Sequence, residues 1–150
     1  MIEEMIETPE EELKRADHLI NISLKISRTC DVMKNAIERL VSTYEMSFDE
    51  ILEYLEAKRE IKEIPKSPKQ KVKLLKDKIA KAQFNKFIRH YNIMKKVSIA
   101  ECKSIGEFRK GLTLITKATK EIWVDMPKLQ EWHHETKAAR KFMVDWMKER

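Results

Sequence analysis

The densest run of side chains able to bind a metal or move a proton is Glu131-Trp132-His133-His134-Glu135. Glu131 and His134 stand three residues apart, the spacing at which helical bundles present one half of a dinuclear carboxylate site. Such a site takes a second Glu-x-x-His pair and further carboxylates from facing helices, and the chain contains no second pair. Trp132 marks the core side of this stretch. His134 then points largely away from the core, and His133 falls at its flank as a partly buried, hydrogen-bonded histidine. A second polar cluster is Arg28-Thr29-Cys30-Asp31, where Arg28 and Asp31 have the spacing of an ion pair at a helix edge. Cys30 has no histidine close in sequence to activate it, so nucleophilic catalysis there is unsupported. Gly106 and Gly111 are too isolated to make a phosphate-binding loop. No catalytic residue, no metal and no cofactor is assigned, and the reading leans away from an enzyme.

The sharpest compositional feature lies between Lys66 and Lys96, which holds eleven Lys or Arg and one acid, Asp77, for a net of +10. The whole chain is +6, so the rest nets −4. Read as one helix, this segment gathers Lys71, Lys78, Lys81, Arg89 and Lys96 on one side, with Asn85 and Asn92 among them. Phe84, Phe87, Tyr91, Ala80 and Met94 fall opposite, as a core face. A basic face without interleaved aromatics can neutralise phosphates but cannot stack bases, so nucleic acid bound there would be held without sequence preference and with strong salt dependence. An acidic protein partner is the other candidate. The plain alternative is a solvated face, or one paired with Glu38, Glu45, Glu53, Glu56 and Glu60.

Any such side chains must be positioned by helices. Two Gly and four Pro in 150 residues leave few turn-makers, while 42% apolar and 37% charged residues suffice for a core with a heavily charged surface. The expected fold is all-α: a single-domain up-and-down bundle of about five helices with a long first helix and no sheet. Thr8 with Glu11, Ser47 with Glu50, Ser98 with Glu101, and Ser104 with Glu107 have capping-box spacing. The first helix is expected over about 9–44, with Leu19, Ile22, Ile26, Cys30, Met33, Ile37, Leu40 and Tyr44 as its stripe. Ile20, Ile22, Leu24 and Ile26 alternate as a strand would, but the longer helical pattern overrides them. The second helix is placed at about 48–63, ended by Pro65 and Pro68. The third spans about 69–96. The fourth, about 105–125, rests on Ile105, Phe108, Leu112, Ile115, Thr119, Ile122 and Met126, and the fifth, about 127–148, on Leu129, Trp132, Thr136, Ala139, Met143 and Trp146.

Cys30 and Cys102 fall at apolar helical positions and are expected as free, buried thiols rather than a disulfide. No stretch is apolar for long enough to span a membrane, and residues 1–12 are acidic, unlike a signal peptide, so a cytoplasmic location is expected. Abundant Lys, Glu and Ile with few amides is a thermophile-like composition. Heptad-spaced helices offer a second apolar face, and a homodimer is expected.

The run from Arg15 to Met33 resembles the opening of small uncharacterised helical proteins of archaea. The overall plan resembles the HEPN helical bundles, which include ribonucleases of toxin–antitoxin systems. Their motif is an Arg followed four to six residues later by His, and this chain has no such pair. Lys128 with His133 or His134 comes nearest, and lysine lacks arginine's planar, permanently charged fork. The resemblance therefore implies an inactive relative or a binding module.

Overall fold

The computed structural model describes residues 7–101, 103–106, 111–117 and 121–150. Helices dominate, with a small antiparallel sheet added at one place. Helix α1 (Pro9–His18) begins where Thr8 accepts the amide hydrogen of Glu11 at 3.1 Å, with Pro9 in the first turn. A π turn (Leu19–Ser23) and a single turn, α2 (Leu24–Ile26), continue it. The wider turn resolves the alternating isoleucines: Ala16, Ile20 and Leu24 are buried, while Ile22 and Ile26 are exposed. The inward stripe of this region is thus 16/20/24, not 19/22/26.

The long opening helix breaks at 27–29, rather than at the expected 45–47. Thr29 adopts an extended backbone and its hydroxyl accepts from Val32 N–H at 3.3 Å, which starts α3 (Cys30–Ala57). Asp31 occupies its first turn, where a carboxylate suits the helix dipole. The helix then runs unbroken for 28 residues through the expected gap. Ser47 caps nothing; its hydroxyl donates to the Thr43 carbonyl at 2.7 Å inside the helix. Capping-box spacing arises by chance in a Glu-rich chain, and the apolar stripe Met33, Ile37, Leu40, Tyr44, Phe48, Ile51 and Leu55 overrode it.

The expected third helix is two helices, α4 (Pro68–Ile79) and α5 (Ala82–Ile99). Ala80 sits between them in the left-handed region at φ 50°, exposed rather than in the core. A side chain there costs about 1 kcal/mol that glycine does not. Ala80→Gly is therefore expected to raise stability by about 0.5–1 kcal/mol, read as a higher urea midpoint with an unchanged slope. An unchanged or lower midpoint would show that the turn is not held in this conformation.

The largest correction concerns the expected fourth helix, 105–125. It contributes to three strands, β1 (Lys103–Ile105), β2 (Thr113–Lys117) and β3 (Glu121–Asp125), in the order β1-β2-β3, each pair antiparallel. Leu114 lies opposite Val124 and Ile115 opposite Trp123. The residues are Thr-Leu-Ile-Thr-Lys and Glu-Ile-Trp-Val-Asp, rich in β-branched and aromatic types that fit a pleated surface. Within them Leu114 and Val124 face the core, while Ile105 and Trp123 face out. Steps of three and four across the whole segment were coincidence; Phe108 and Thr119, which also carried them, lie outside the described residues. Gly106 takes φ +72° just after β1, and a Cβ there would stand 3.4 Å from the Gly111 carbonyl oxygen. Ser104 lies in β1, and Ser98 inside α5, so neither is a helix start.

Asp125 then caps α6 (Met126–Lys148), accepting from Lys128 N–H at 2.9 Å. Helix α3 is the central member, touching α1, α5, α6, α4 and β2. One apolar cluster joins all the long helices to the inner face of the sheet. Its aromatic part stacks Tyr44 and Phe48 of α3 against Phe84 and Tyr91 of α5, with Phe142 of α6 closing the row.

Cys30 is 5% exposed and disulfide-bonded, which corrects the expectation of a free thiol. Whether such a thiol is oxidised depends on the redox compartment, which the residue pattern does not encode. Cys102, the chain's other cysteine, lies outside the described residues. Among the described residues no helix is long and apolar enough to cross a membrane.

Candidate functional site

Splitting the basic segment redistributes its charges. Lys71 is half-buried and pairs with Asp49 of α3 at 2.8 Å. Lys78 donates to the Glu60 carbonyl at 3.1 Å, and Lys81 sits 5.9 Å above the Phe142 ring. Three of the five expected cations thus help to seat α4 and α5 on the bundle. Arg89 and Lys96 are exposed, as expected. Of the acids thought able to cover this face, Glu45 takes Lys95 at 3.0 Å and the Tyr91 hydroxyl at 2.8 Å. Glu60 is engaged by Arg150 at 2.5 Å.

Two stripes of cations remain in solvent. On α4 they are Lys69, Lys73 and Lys76, opposite the buried Leu75 and Ile79. On α5 they are Lys86, Arg89 and Lys96, opposite Phe84, Ile88 and Tyr91. Each stripe is made of residues three, four or seven apart, so each lies along one helix face. Reading 66–96 as one helix missed Lys69, Lys73, Lys76 and Lys86. The signal was present in Leu75 and Ile79, whose period within 68–79 sets the outward face of α4 independently of α5.

The two adjacent histidines of α6 lie in different surroundings. His134 is exposed, as is Lys128, whereas His133 is 2% exposed with no hydrogen-bond partner on Nε2. Glu131 is exposed, and no group of three potential metal ligands occurs among the described residues. Arg28 lies in the break before α3 and Asp31 in its first turn, so the two do not share a continuous helix edge.

A base with an orienting carboxylate was not foreseen. His90 of α5, 7% exposed, places Nδ1 3.0 Å from Glu135 Oε2 of α6. Its ring lies 5.9 Å from that of Trp132 and 6.1 Å from that of Tyr44. A histidine held by a carboxylate is the usual frame of a general base. Here the free nitrogen, Nε2, is buried and unpartnered, as is the Tyr44 hydroxyl oxygen. Thr136 faces that oxygen but donates its own proton to the Trp132 carbonyl at 2.7 Å. Buried in this way between α5 and α6, the His90–Glu135 pair bears on stability. No residue near His90 in sequence announced Glu135, 45 positions away; only the docking of α5 on α6 joins them.

Burial lowers the His90 pKa below the ordinary 6.5, outweighing the upward pulls of Glu135, the Trp132 backbone and Glu131. Burial also lowers that of His133, assisted by Lys137 and His134 and opposed by Asp17. The unfolded chain therefore binds protons first as pH falls. This contribution to stability is complete above the unfolded value of 6.5 and is lost as pH drops through it toward the folded values. The urea midpoint is expected to fall between pH 7.5 and pH 5. The double variant His90→Asn with His133→Asn should flatten most of that fall. A midpoint independent of pH over this range would contradict the burial of both rings as neutral groups.

Compared with protein families, curated proteins and solved structures, the chain matches none.

Proposed function

We propose that the chain is a non-catalytic interaction module that binds the phosphate backbone of nucleic acid through the cation stripes of α4 and α5. The observation that carries this reading is that Lys69, Lys73, Lys76, Lys86, Arg89 and Lys96 stand in solvent on two helices anchored in the core. Among the described residues, Lys71 and Lys95 are the lysines and arginines of segment 66–96 that are held in ion pairs. The aromatic rings of α5 are buried, so nothing on these stripes stacks on a base. Binding should then follow charge and not sequence. Fluorescence anisotropy with two labelled duplexes of unrelated sequence should give affinities equal within about twofold at low salt. No binding at low salt, or a preference above about tenfold, would overturn the reading.

A second reading, self-association, is favoured by the outer face of the sheet. Ile105 and Trp123 are each 52% exposed there, with Ile115 between them in register. One edge of that face carries Lys103 and the other Glu121 and Asp125, so a two-fold related copy sets the basic edge over the acidic one. Light scattering should show a dimer that Trp123→Ser converts to monomer. A monomeric parent across micromolar concentrations would remove this reading.

A further inference from the structure

The sheet ends on two edges, β1 and β3, and they are unlike: β1 offers three residues and β3 five. On one side β3 pairs with β2, and among the described residues no backbone hydrogen bond reaches its other side. Such an edge presents unpaired N–H and C=O groups at strand spacing, and proteins commonly blunt it with a central charge, a proline or a bulge. None of these protects β3. Its register with β2 is continuous from Glu121 to Asp125, and its central residue is Trp123, 52% exposed.

Glu121, Trp123 and Asp125 alternate on the outer face of β3, while Ile122 is half-buried and Val124 buried. The Trp123 indole N–H donates to Glu121, which fixes the ring beside that carboxylate. Asp125 accepts from Lys128 N–H, so its position is fixed by the start of α6. Lys117 stands opposite Glu121 in the register, yet among the described residues neither carboxylate is held in an ion pair. A strand added beside β3 therefore meets acid, indole and acid on one face and apolar side chains on the other. A second β3 does not fit. Two-fold antiparallel pairing sets Glu121 of each copy opposite Asp125 of the other, and like charges directly opposite oppose pairing. The complementary strand carries cations at alternate positions with aliphatic residues between them, the middle cation lying over the indole.

We propose that β3 is a docking edge for an extended basic peptide, which joins the sheet as a further strand. Main-chain hydrogen bonds along the edge supply affinity, and the alternating side chains select the peptide. None of these residues belongs to α4 or α5, so the edge stands or falls independently of the proposed nucleic-acid interface. A dimer through the outer face of the sheet leaves the backbone groups of the edge open, so the two are also read separately.

The probe is the end-capped peptide Lys-Val-Arg-Val-Lys, titrated into the ¹⁵N-labelled full chain. Saturable shifts are expected at the amides of residues 121–125, and alternate amides of that run should exchange with deuterium more slowly once peptide is bound. Two further peptides carry methyl groups on opposite sets of alternate backbone nitrogens. One of them should bind at least about tenfold more weakly, because it keeps the charge and loses the ladder donors. Glu121→Lys and Trp123→Ser, both at exposed positions, should each weaken binding by about fivefold. The peptide Glu-Val-Glu-Val-Glu should not bind. Shifts that never saturate, both methylated peptides binding as well as the parent, or full affinity in either variant would overturn the proposal. So would protection of the same amides in the chain alone that grows with its concentration, which would give the edge to β1 of another copy.

Discussion

Replacing Phe84 by Ala is expected to lower the free energy of unfolding by about 3–5 kcal/mol. Phe84 is fully buried where three helices meet: its ring stacks on Phe142 of α6 at 6.3 Å and meets Phe48 of α3 edge-on at 6.4 Å. Truncation removes the apolar contact and opens a cavity that rigid neighbours on α3, α5 and α6 cannot fill by small shifts. For a chain of this length the loss corresponds to a fall in Tm of roughly 10–15 °C. The same change should loosen α5, because Phe48 also holds Tyr91, one turn pair further along. Phe87→Ala serves as the comparison. Phe87 is 8% exposed and among the described aromatic rings touches Phe142 alone, so a smaller loss is expected. Equal losses at the two positions, or a change of under about 1 kcal/mol at Phe84, would contradict the packing described.

The helical class was legible because long stripes such as Met33, Ile37, Leu40 and Tyr44 leave little choice once few glycines and prolines interrupt them. Every one of those four residues is buried. What could not be read were the interruptions. The break at 27–29 depends on one hydroxyl, that of Thr29, satisfying a backbone amide, and Ser47 offered the same chemistry eighteen residues later. Burial decided between them: Ser47 lies beneath the Arg140 guanidinium, 3.4 Å from it, inside the core. Nor did periodicity reveal the left-handed turn at Ala80, since alanine is a strong helix former and no glycine marked the place. The sheet was missed for a different reason. Residues 103–125 are short strands whose pairing is non-local, and Leu114 opposite Val124 makes sense only after the chain has turned. Basic charge was visible in the composition of 66–96, but which cations face solvent follows from the split into α4 and α5. His90 and Glu135 lie on separate helices, and nothing in either segment alone points to the other.

The other large effect concerns the exposed cations. Substituting Lys73, Lys86 and Arg89 together by Gln removes three charges that no acid among the described residues holds. Exposed helix positions accept Gln readily, so the helical circular dichroism signal should be unchanged. Affinity for duplex DNA should nonetheless drop by a factor of a hundred or more at low salt, since each phosphate contact contributes through the counterion it releases.

The most direct test of a phosphate-tracking surface is the dependence of duplex affinity on salt concentration. Six exposed cations on two stripes, of which four or five reach phosphates at once, imply a slope of about −4 in log affinity against log salt. Between about 50 and 200 mM that slope costs roughly two decades of affinity. The triple variant should bind with a slope near −1, because three counterions are no longer released. A parent slope shallower than about −1, or a triple variant with the parent's slope, would contradict the assignment of α4 and α5 as the nucleic-acid interface.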